Sequence, residues 1–129
     1  MPRAKQLTLN MPDRPGLLGE IAGALGAKKV NIVGFTAAAM QGGGMVWMVV
    51  DKPAAAKKAL AAKGWNATED EVLAVTLPDS PGSLGRFASK LGKAGVNITF
   101  AYTGSAGSAR KLNGYFGVSD MKAALKVRP

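Results

Sequence analysis

The motif Asp-x-Pro-Gly occurs twice in the chain, at residues 13–16 and 79–82. Each copy follows an apolar stretch and precedes a helical pattern, which predicts its position at a helix N-terminus. Open backbone N–H groups and the helix dipole attract a carboxylate or phosphate there, while Asp13 or Asp79 adds a negative charge. Since a zwitterion carries both complementary charges, such a ligand would suit the motif. A single copy is better explained as an ordinary strand-to-helix turn, and it is the retention of the motif in both copies that favours a binding role.

Each residue of the motif has an expected local role. The second proline is expected in the first turn of the helix, where its missing N–H costs nothing. The residue before it, Arg14 or Ser80, would then be the cap, and serine is the better cap. The glycine, Gly16 or Gly82, would leave room for a ligand beside the helix N–H groups, provided that its backbone angles are helical.

The composition argues against most enzyme chemistry. The 129 residues include no cysteine and no histidine, so the usual thiolate, imidazole and zinc chemistries have no ligands or bases. The serines near the motif and in the 104–114 stretch have no histidine to activate them. We therefore predict a non-enzyme, with no catalytic residue, no metal site and no cofactor.

The charge and the apolar runs indicate where the protein acts. The net charge is +9, but the basic residues are scattered, which favours a solvated surface and makes a nucleic-acid partner a lesser alternative. No apolar run approaches the roughly 20 residues of a membrane span, and residues 1–10 lack a signal-peptide core. We expect a cytoplasmic protein with no membrane partner.

The two motifs belong to an internal repeat with an offset of 66 residues, from 79 − 13 and from 97 − 31 for a later asparagine. Period-two and helical apolar patterns predict β-α-β-β-α in each copy. The predicted strands are 7–10, 30–38 and 45–50, then 73–77, 96–104 and 115–119. The predicted helices begin after each motif, with stops at Gly26 and Gly92, and at 52–64 and 120–126. Turns are expected at 41–44 and 104–114, and a short extra strand around Trp65 to Thr68.

This element order predicts an α+β protein made of two tandem ferredoxin-like domains, residues 1–69 and 70–129, each with the order βαββαβ. The second copy leaves only Lys126 to Arg128 for its last strand, so its sheet is expected to lack a full strand and to need cover at that edge. The longer 104–114 connection is either a lid or a mobile loop, and the loop is the favoured reading.

The string PD-x-PG-x-L-x-x-(I/F)-A-x-x-L, followed by a glycine and V-N-I, resembles the ACT domain. Both copies match, from about Lys5 to Lys126, and the chain is similar to small stand-alone proteins with two tandem ACT domains. The resemblance implies a regulatory protein that binds a free amino acid. It also implies a homodimer or higher homo-oligomer, sheets set side by side, and a regulated protein partner.

The resemblance places the ligand between the first loop of one domain and the second strand of a paired domain. The residues that it implies are Asp13, Arg14, Pro15, Gly16, Leu17, Asn31, Ile32, Asp79, Ser80, Pro81, Gly82, Ser83, Asn97 and Ile98. The two asparagines have an equally good local reading, because asparagine also closes turns after helices.

Two other functions fit the same fold. One is a protein-interaction adaptor without a working ligand site. The other, less favoured, is an RNA-binding module, which needs aromatic side chains on one face of the sheet. Because side chains alternate along a strand, Tyr115 and Phe116 are expected on opposite faces, and no stacking platform is predicted.

Overall fold

The computed structural model describes residues 2–129, which divide into two compact units. The first unit is Lys5–Asp70, and the second contains residues 2–4 with Glu71–Pro129. The elements are β1 (Arg3–Met11), α1 (Leu17–Ala27), β2 (Ile32–Met40), β3 (Gly43–Val50), α2 (Pro53–Ala61), β4 (Thr68–Pro78), α3 (Ser83–Lys93), β5 (Ile98–Ser105), β6 (Lys111–Val118) and α4 (Met121–Ala124).

In the first unit, β3 lies between β1 and β2 and is antiparallel to both. The register pairs Leu9 with Val46 and Met11 with Gly44. Alternation along β1 turns the apolar side chains to one face, where they form a buried core with Ile21 and Leu25 of α1. The apolar periodicity of the first copy therefore builds one sheet face covered by helices.

The fourth strand of the first unit is the beginning of β4. The hydroxyl of Thr68 donates to the carbonyl of Thr8 at 3.5 Å, and Lys5 lies 3.6 Å from Glu69. The short strand predicted around Trp65 to Thr68 is present but begins only at Thr68, and it is continuous with the strand predicted at 73–77, so that one strand extends to Pro78. Trp65 packs against the core instead, just after Gly64 at φ +83° ends the helical region.

The second unit repeats the plan, with β6 between β4 and β5 and antiparallel to both. Its core includes Leu77, Phe87 and Phe116, and the rings of Phe87 and Phe116 are 5.5 Å apart. The predicted α+β class with antiparallel strands is confirmed, as is the βαββαβ order of the first unit, whereas the second unit has the order β-α-β-β-α.

The edge of β4 in the second unit is covered from a distant part of the sequence. After α4, the described residues 125–129 contain no strand. The N–H of Ala74 donates to the carbonyl of Pro2 at 2.9 Å, and Arg3 lies 3.8 Å from Glu71. Residues 2–4 therefore take the place beside β4 that a last strand of the second copy would occupy.

Both long helices end one residue beyond the predicted stops, at Ala27 and Lys93. The N–H of Val30 donates to Leu25 at 3.0 Å and the N–H of Val96 to Leu91 at 2.9 Å, which is the pattern of a Schellman motif. The left-handed residue that this motif needs is Lys29 (φ +58°) in one copy and Gly95 (φ +77°) in the other.

Lys29→Gly is expected to raise the free energy of unfolding by about 0.5–1 kcal/mol, because glycine removes the steric cost of a left-handed residue. This gain exceeds the opposing effect, which is the greater entropy that glycine gives the unfolded chain. The hydrogen bond from Lys52 to the carbonyl of Lys29 remains, since it uses the backbone. Urea unfolding measures the change, and Gly95→Lys is the reciprocal control with the opposite sign. A loss of stability in Lys29→Gly would contradict this account of the helix end.

The connection between β5 and β6 is shorter than the predicted 104–114 loop. The strands extend to Ser105 and from Lys111, so the connection is limited to residues 106–110. In the first copy the strands continue to Met40 and from Gly43, leaving Gln41 and Gly42 in the turn. The second hairpin connection is therefore longer by a few residues. As a result, equivalent positions after the hairpin are no longer separated by 66 residues.

Candidate functional site

The Asp-x-Pro-Gly motif forms a type II turn ahead of the helix. The N–H of Leu17 donates to the carbonyl of Arg14 at 3.4 Å, and Gly16 has φ 84° and ψ −5°. Proline at the second position and a left-handed glycine at the third define this turn. The second copy has the same turn, with Gly82 at φ 86°.

The residues of the turn have different local roles from those predicted. The helices begin at Leu17 and Ser83, so the prolines lie outside the first helical turn. The left-handed glycine is the N-cap, and no side chain caps either helix, which excludes Arg14 and Ser80 from that role. A Cβ added at Gly16 would meet nothing within 4 Å. Glycine is therefore required by the backbone angle and not by lack of space.

A cavity of about 430 Å³ adjoins this turn in the first unit. It lies between the start of α1 and the ends of β2 and β3 that meet at the hairpin. The lining combines apolar side chains, backbone at the strand ends and the first residues of the helix. The lining residues are Asp13, Arg14, Gly16, Leu17, Leu18, Gly19, Ala37, Ala38, Ala39, Gly44, Met45 and Val46.

Gly44 leaves part of this cavity open. A Cβ built on it would lie 3.7 Å from the carbonyl oxygens of Ala38 and Met11, and 3.9 Å from the Cα of Asp13. A side chain at position 44 would thus enter the space beside the motif. Carbonyl oxygens and a carboxylate are suited to an ammonium group, and the N–H groups at the start of α1 are suited to a carboxylate.

Arg14 is engaged at the rim of the cavity. Its guanidinium donates to both carboxylate oxygens of Glu20, with the Nη2–Oε1 bond at 3.0 Å. These hydrogen bonds lower the pKa of Glu20 and raise the pKa of Arg14. Asp13 is the acidic residue of the cavity lining, and within residues 2–129 it forms no ion pair.

The second copy fills the equivalent space. Met11 pairs with Gly44 and Leu77 pairs with Leu112, and 77 − 11 gives the repeat offset of 66. Leu112 is the counterpart of Gly44, and its side chain packs against the core of the second unit. The turn is also anchored, because the N–H of Asp79 donates to the carbonyl of Arg110 at 2.7 Å.

The family of the first unit follows from a comparison with protein-family models. The model described as the ACT domain matches residues 5–62. Residues 5–62 form an ACT domain. The predicted resemblance to this family is confirmed, and the second copy repeats the same turn and element order at the 66-residue offset.

Solved structures with the same fold cover nearly the whole chain. Protein BT0572 from Bacteroides thetaiotaomicron is 25% identical, with a TM-score of 0.87, and the match covers 98% of this chain and 86% of that one. The ligand-free regulatory subunit of aspartate kinase from Thermus thermophilus is 15% identical, with a TM-score of 0.68 and coverages of 97% and 89%. That from Thermus flavus is 17% identical, with a TM-score of 0.63 and coverages of 98% and 90%. None of the curated proteins compared with the sequence matches it.

The structure does not bring the predicted asparagines to the cavity of the ACT domain. Asn31 is exposed and lies seven residues from Ala38, a span of about 20 Å along a strand. Its N–H donates to the carboxylate of Asp51 at 2.9 Å, and the N–H of Asn97 donates in the same way to Ser119 at 2.9 Å. Both asparagines tie the starts of β2 and β5 to the ends of β3 and β6. Ile32 and Ile98, the next residues along, begin those two strands.

The remaining predicted residues lie in the two turns or at the starts of the two helices. Pro15 and Pro81 occupy the second turn position and are exposed. Ser83, the counterpart of Leu17, is buried, and its hydroxyl donates to the carbonyl of Pro78 at 2.5 Å. The sequence did not indicate Gly44 or the alanines of β2 as site residues. The sequence feature that could have indicated them is the QGGG stretch after AAAM, because it predicts a hairpin without large side chains.

An aromatic row crosses β5 and β6 in the second unit. The rings of Phe100 and Tyr102 are 6.4 Å apart and stacked, and those of Tyr102 and Tyr115 are 5.5 Å apart. Burial raises the pKa of Tyr102. Phe116 points to the core, as the alternation predicts, and only Phe100 of the row is exposed. One exposed ring does not provide the platform that RNA-binding sheets use.

The outer face of α3 is basic. Gly82, Gly85 and Ser89 line a groove of about 540 Å³ with three cations, Arg86, Lys90 and Lys93. Within residues 2–129 no ion pair involves these three side chains.

The basic groove is specific to the second copy. The equivalent positions of the ACT domain at residues 5–62 hold Glu20, Ala24 and Ala27. The fold therefore does not require the cations of α3.

No helix within the described residues has the length and apolar character needed to cross a membrane.

Proposed function

We propose that this protein is a non-catalytic regulator that binds a free amino acid in the cavity beside the Asp13 turn. The observation that carries the proposal is the convergence, within one ACT domain, of the start of α1, Asp13 and strand carbonyls around a cavity of about 430 Å³. A carboxylate and an ammonium on one carbon need these two kinds of partner close together.

The fold neighbours support a regulatory role. Two of them are regulatory subunits of aspartate kinase, and the likeness covers nearly the whole chain in both. The proposal extends that kind of role to this chain. Binding would act through the protein's own assembly or through a regulated partner, in the cytoplasm and without a catalytic step.

Pairing between copies of the protein is part of the proposal. Asn31 and Ile32 lie away from the cavity of the first unit, so a role in binding for them, or for Asn97 and Ile98, requires a paired ACT domain that presents its second strand. The expected assembly is a homodimer or a higher homo-oligomer. Sedimentation with and without the bound amino acid tests this part.

A thermal-shift screen of the common amino acids tests the proposed function. Ligand that binds only the folded protein adds about 2.7 kcal/mol at 100 times its Kd, which raises the midpoint of a chain of this size by about 10 °C. We expect this response from one amino acid or a small related group. A flat response to all of them at millimolar concentration favours the adaptor alternative.

The basic groove of α3 supports a second candidate, an adaptor for an acidic protein surface. Charge reversal at Lys90 and Lys93 is expected to abolish capture of such a partner without changing amino-acid binding. A random RNA or DNA probe is expected to bind only in the non-specific range, about 10⁻⁴ to 10⁻⁶ M at 0.15 M salt, and to weaken steeply with salt. Nanomolar binding of the probe would instead favour a nucleic-acid function.

A further inference from the structure

The second copy of the internal repeat indicates which side chain the proposed ligand carries. Gly44 of the first copy and Leu112 of the second occupy equivalent positions in their sheets, because each pairs with the residue that ends the core face of the first strand, Met11 or Leu77. The repeat offset of 66 relates those two partners. The same fold therefore has a leucine side chain where the first copy has open space.

Leu112 shows what kind of group the space accepts. Its isobutyl group packs against the core of the second unit, which includes its strand partner Leu77. In the first unit the corresponding walls remain apolar, with Leu17, Val46 and the alanines of β2 in the lining. A ligand side chain that enters over Gly44 thus meets aliphatic carbon, with Asp13 at the turn available for the ligand's ammonium.

We infer that the ligand is an aliphatic amino acid of branched-chain size, bound once per chain in the first copy, where its side chain takes the place that Leu112 fills in the second. This inference rests on the proposed function, since it assigns the ligand class and the number of sites. The second copy is then a filled site. Its turn is held by the bond from Asp79 to Arg110 and by the bond from Ser83 to Pro78.

Charged side chains are poorly matched to this lining. Arg14, the cation at the rim, is already bound to Glu20, so an acidic side chain gains no unpaired cation there. A basic side chain would bury its charge among aliphatic groups, which is unfavourable without a partner. Each buried methylene strengthens binding about fourfold, so leucine is expected to bind roughly fiftyfold more tightly than alanine.

Calorimetric titration of the full chain with leucine, isoleucine, valine, alanine, phenylalanine, lysine and glutamate tests the inference. We expect the branched-chain amino acids to bind most tightly and with one site per chain. Binding of a charged or aromatic amino acid in preference, or of two ligands per chain, overturns the inference but leaves the proposed function standing. No binding by any amino acid removes both.

Two substitutions at Gly44 locate the site. Gly44→Leu copies the second repeat and is expected to weaken leucine binding at least a hundredfold. Gly44→Ala, whose Cβ makes ordinary contacts at 3.7–3.9 Å, is expected to fold and to weaken the binding of leucine more than the binding of valine. Gly23→Leu on α1, where a Cβ meets nothing within 4 Å, is the control and should leave affinity unchanged. Unchanged leucine affinity in a folded Gly44→Leu variant, checked by circular dichroism, overturns the inference.

Discussion

Gly16→Val is expected to lower the free energy of unfolding by about 2–3 kcal/mol, because a β-branched residue must adopt the left-handed angles of the type II turn at φ 84°. For a chain of this size the thermal midpoint should fall by about 10 °C. Gly82→Val should behave in the same way, with an added clash, because its Cβ would lie 2.9 Å from the Nη1 of Arg86.

The matched control for the turn glycine is Gly23→Ala. Gly23 lies inside α1 with open space around its Cβ, so alanine should stabilise the helix by about 0.5–1 kcal/mol. Thermal and urea unfolding of the three variants separate the backbone requirement of the turn from a general effect of replacing glycine. Wild-type stability in Gly16→Val would mean that the turn does not need its left-handed residue.

Asp13→Asn is expected to weaken binding of the amino acid by ten- to a hundredfold while leaving the fold intact. The substitution keeps the shape of the side chain but removes the negative charge that the ligand's ammonium would meet, and a hydrogen bond to a charged group contributes about 1.5–3 kcal/mol. Isothermal calorimetry with the amino acid found in the thermal screen gives the change.

Asp79→Asn is the control for Asp13→Asn, because Asp79 has the same place in a copy whose equivalent space holds Leu112. Its backbone bond to Arg110 is unaffected by the substitution. Equal losses of affinity in the two variants would place a working site in both copies. An unchanged affinity in Asp13→Asn would remove the carboxylate from the site.

The sequence predicted the order of the elements because the apolar positions recur with clear periods. Leu7 and Leu9 alternate along β1, and Ile21 and Leu25 recur at helical spacing, and all four are buried in one core. The helix ends were less predictable. Gly26 is a residue type that commonly ends helices, yet the residue with left-handed angles at this helix end is Lys29. The end of the helix depends on which residue adopts those angles.

The site was only partly predictable for a different reason. Asp13, Gly16 and Leu17 lie on the cavity because a local motif sets their place. Gly44 is distant in sequence and is positioned by strand register, which no local pattern fixes. The longer turn at residues 106–110 also hides the equivalence of Gly44 and Leu112, because a constant offset of 66 aligns Gly44 with Arg110.

The path of β4 affects any attempt to divide the protein into fragments. Residues 68–70 of this strand belong to the first unit and residues 71–78 to the second, while Pro2 and the first two residues of β1, Arg3 and Ala4, belong to the second unit. A fragment cut at the sequence repeat, near residue 70, would keep β4 without its cover from Pro2 and Arg3. Its unpaired edge would invite association with other chains. The repeat of 66 residues in the sequence therefore differs from the compact unit of the fold. A stable half-protein would have to include the strand residues that its unit takes from the other copy.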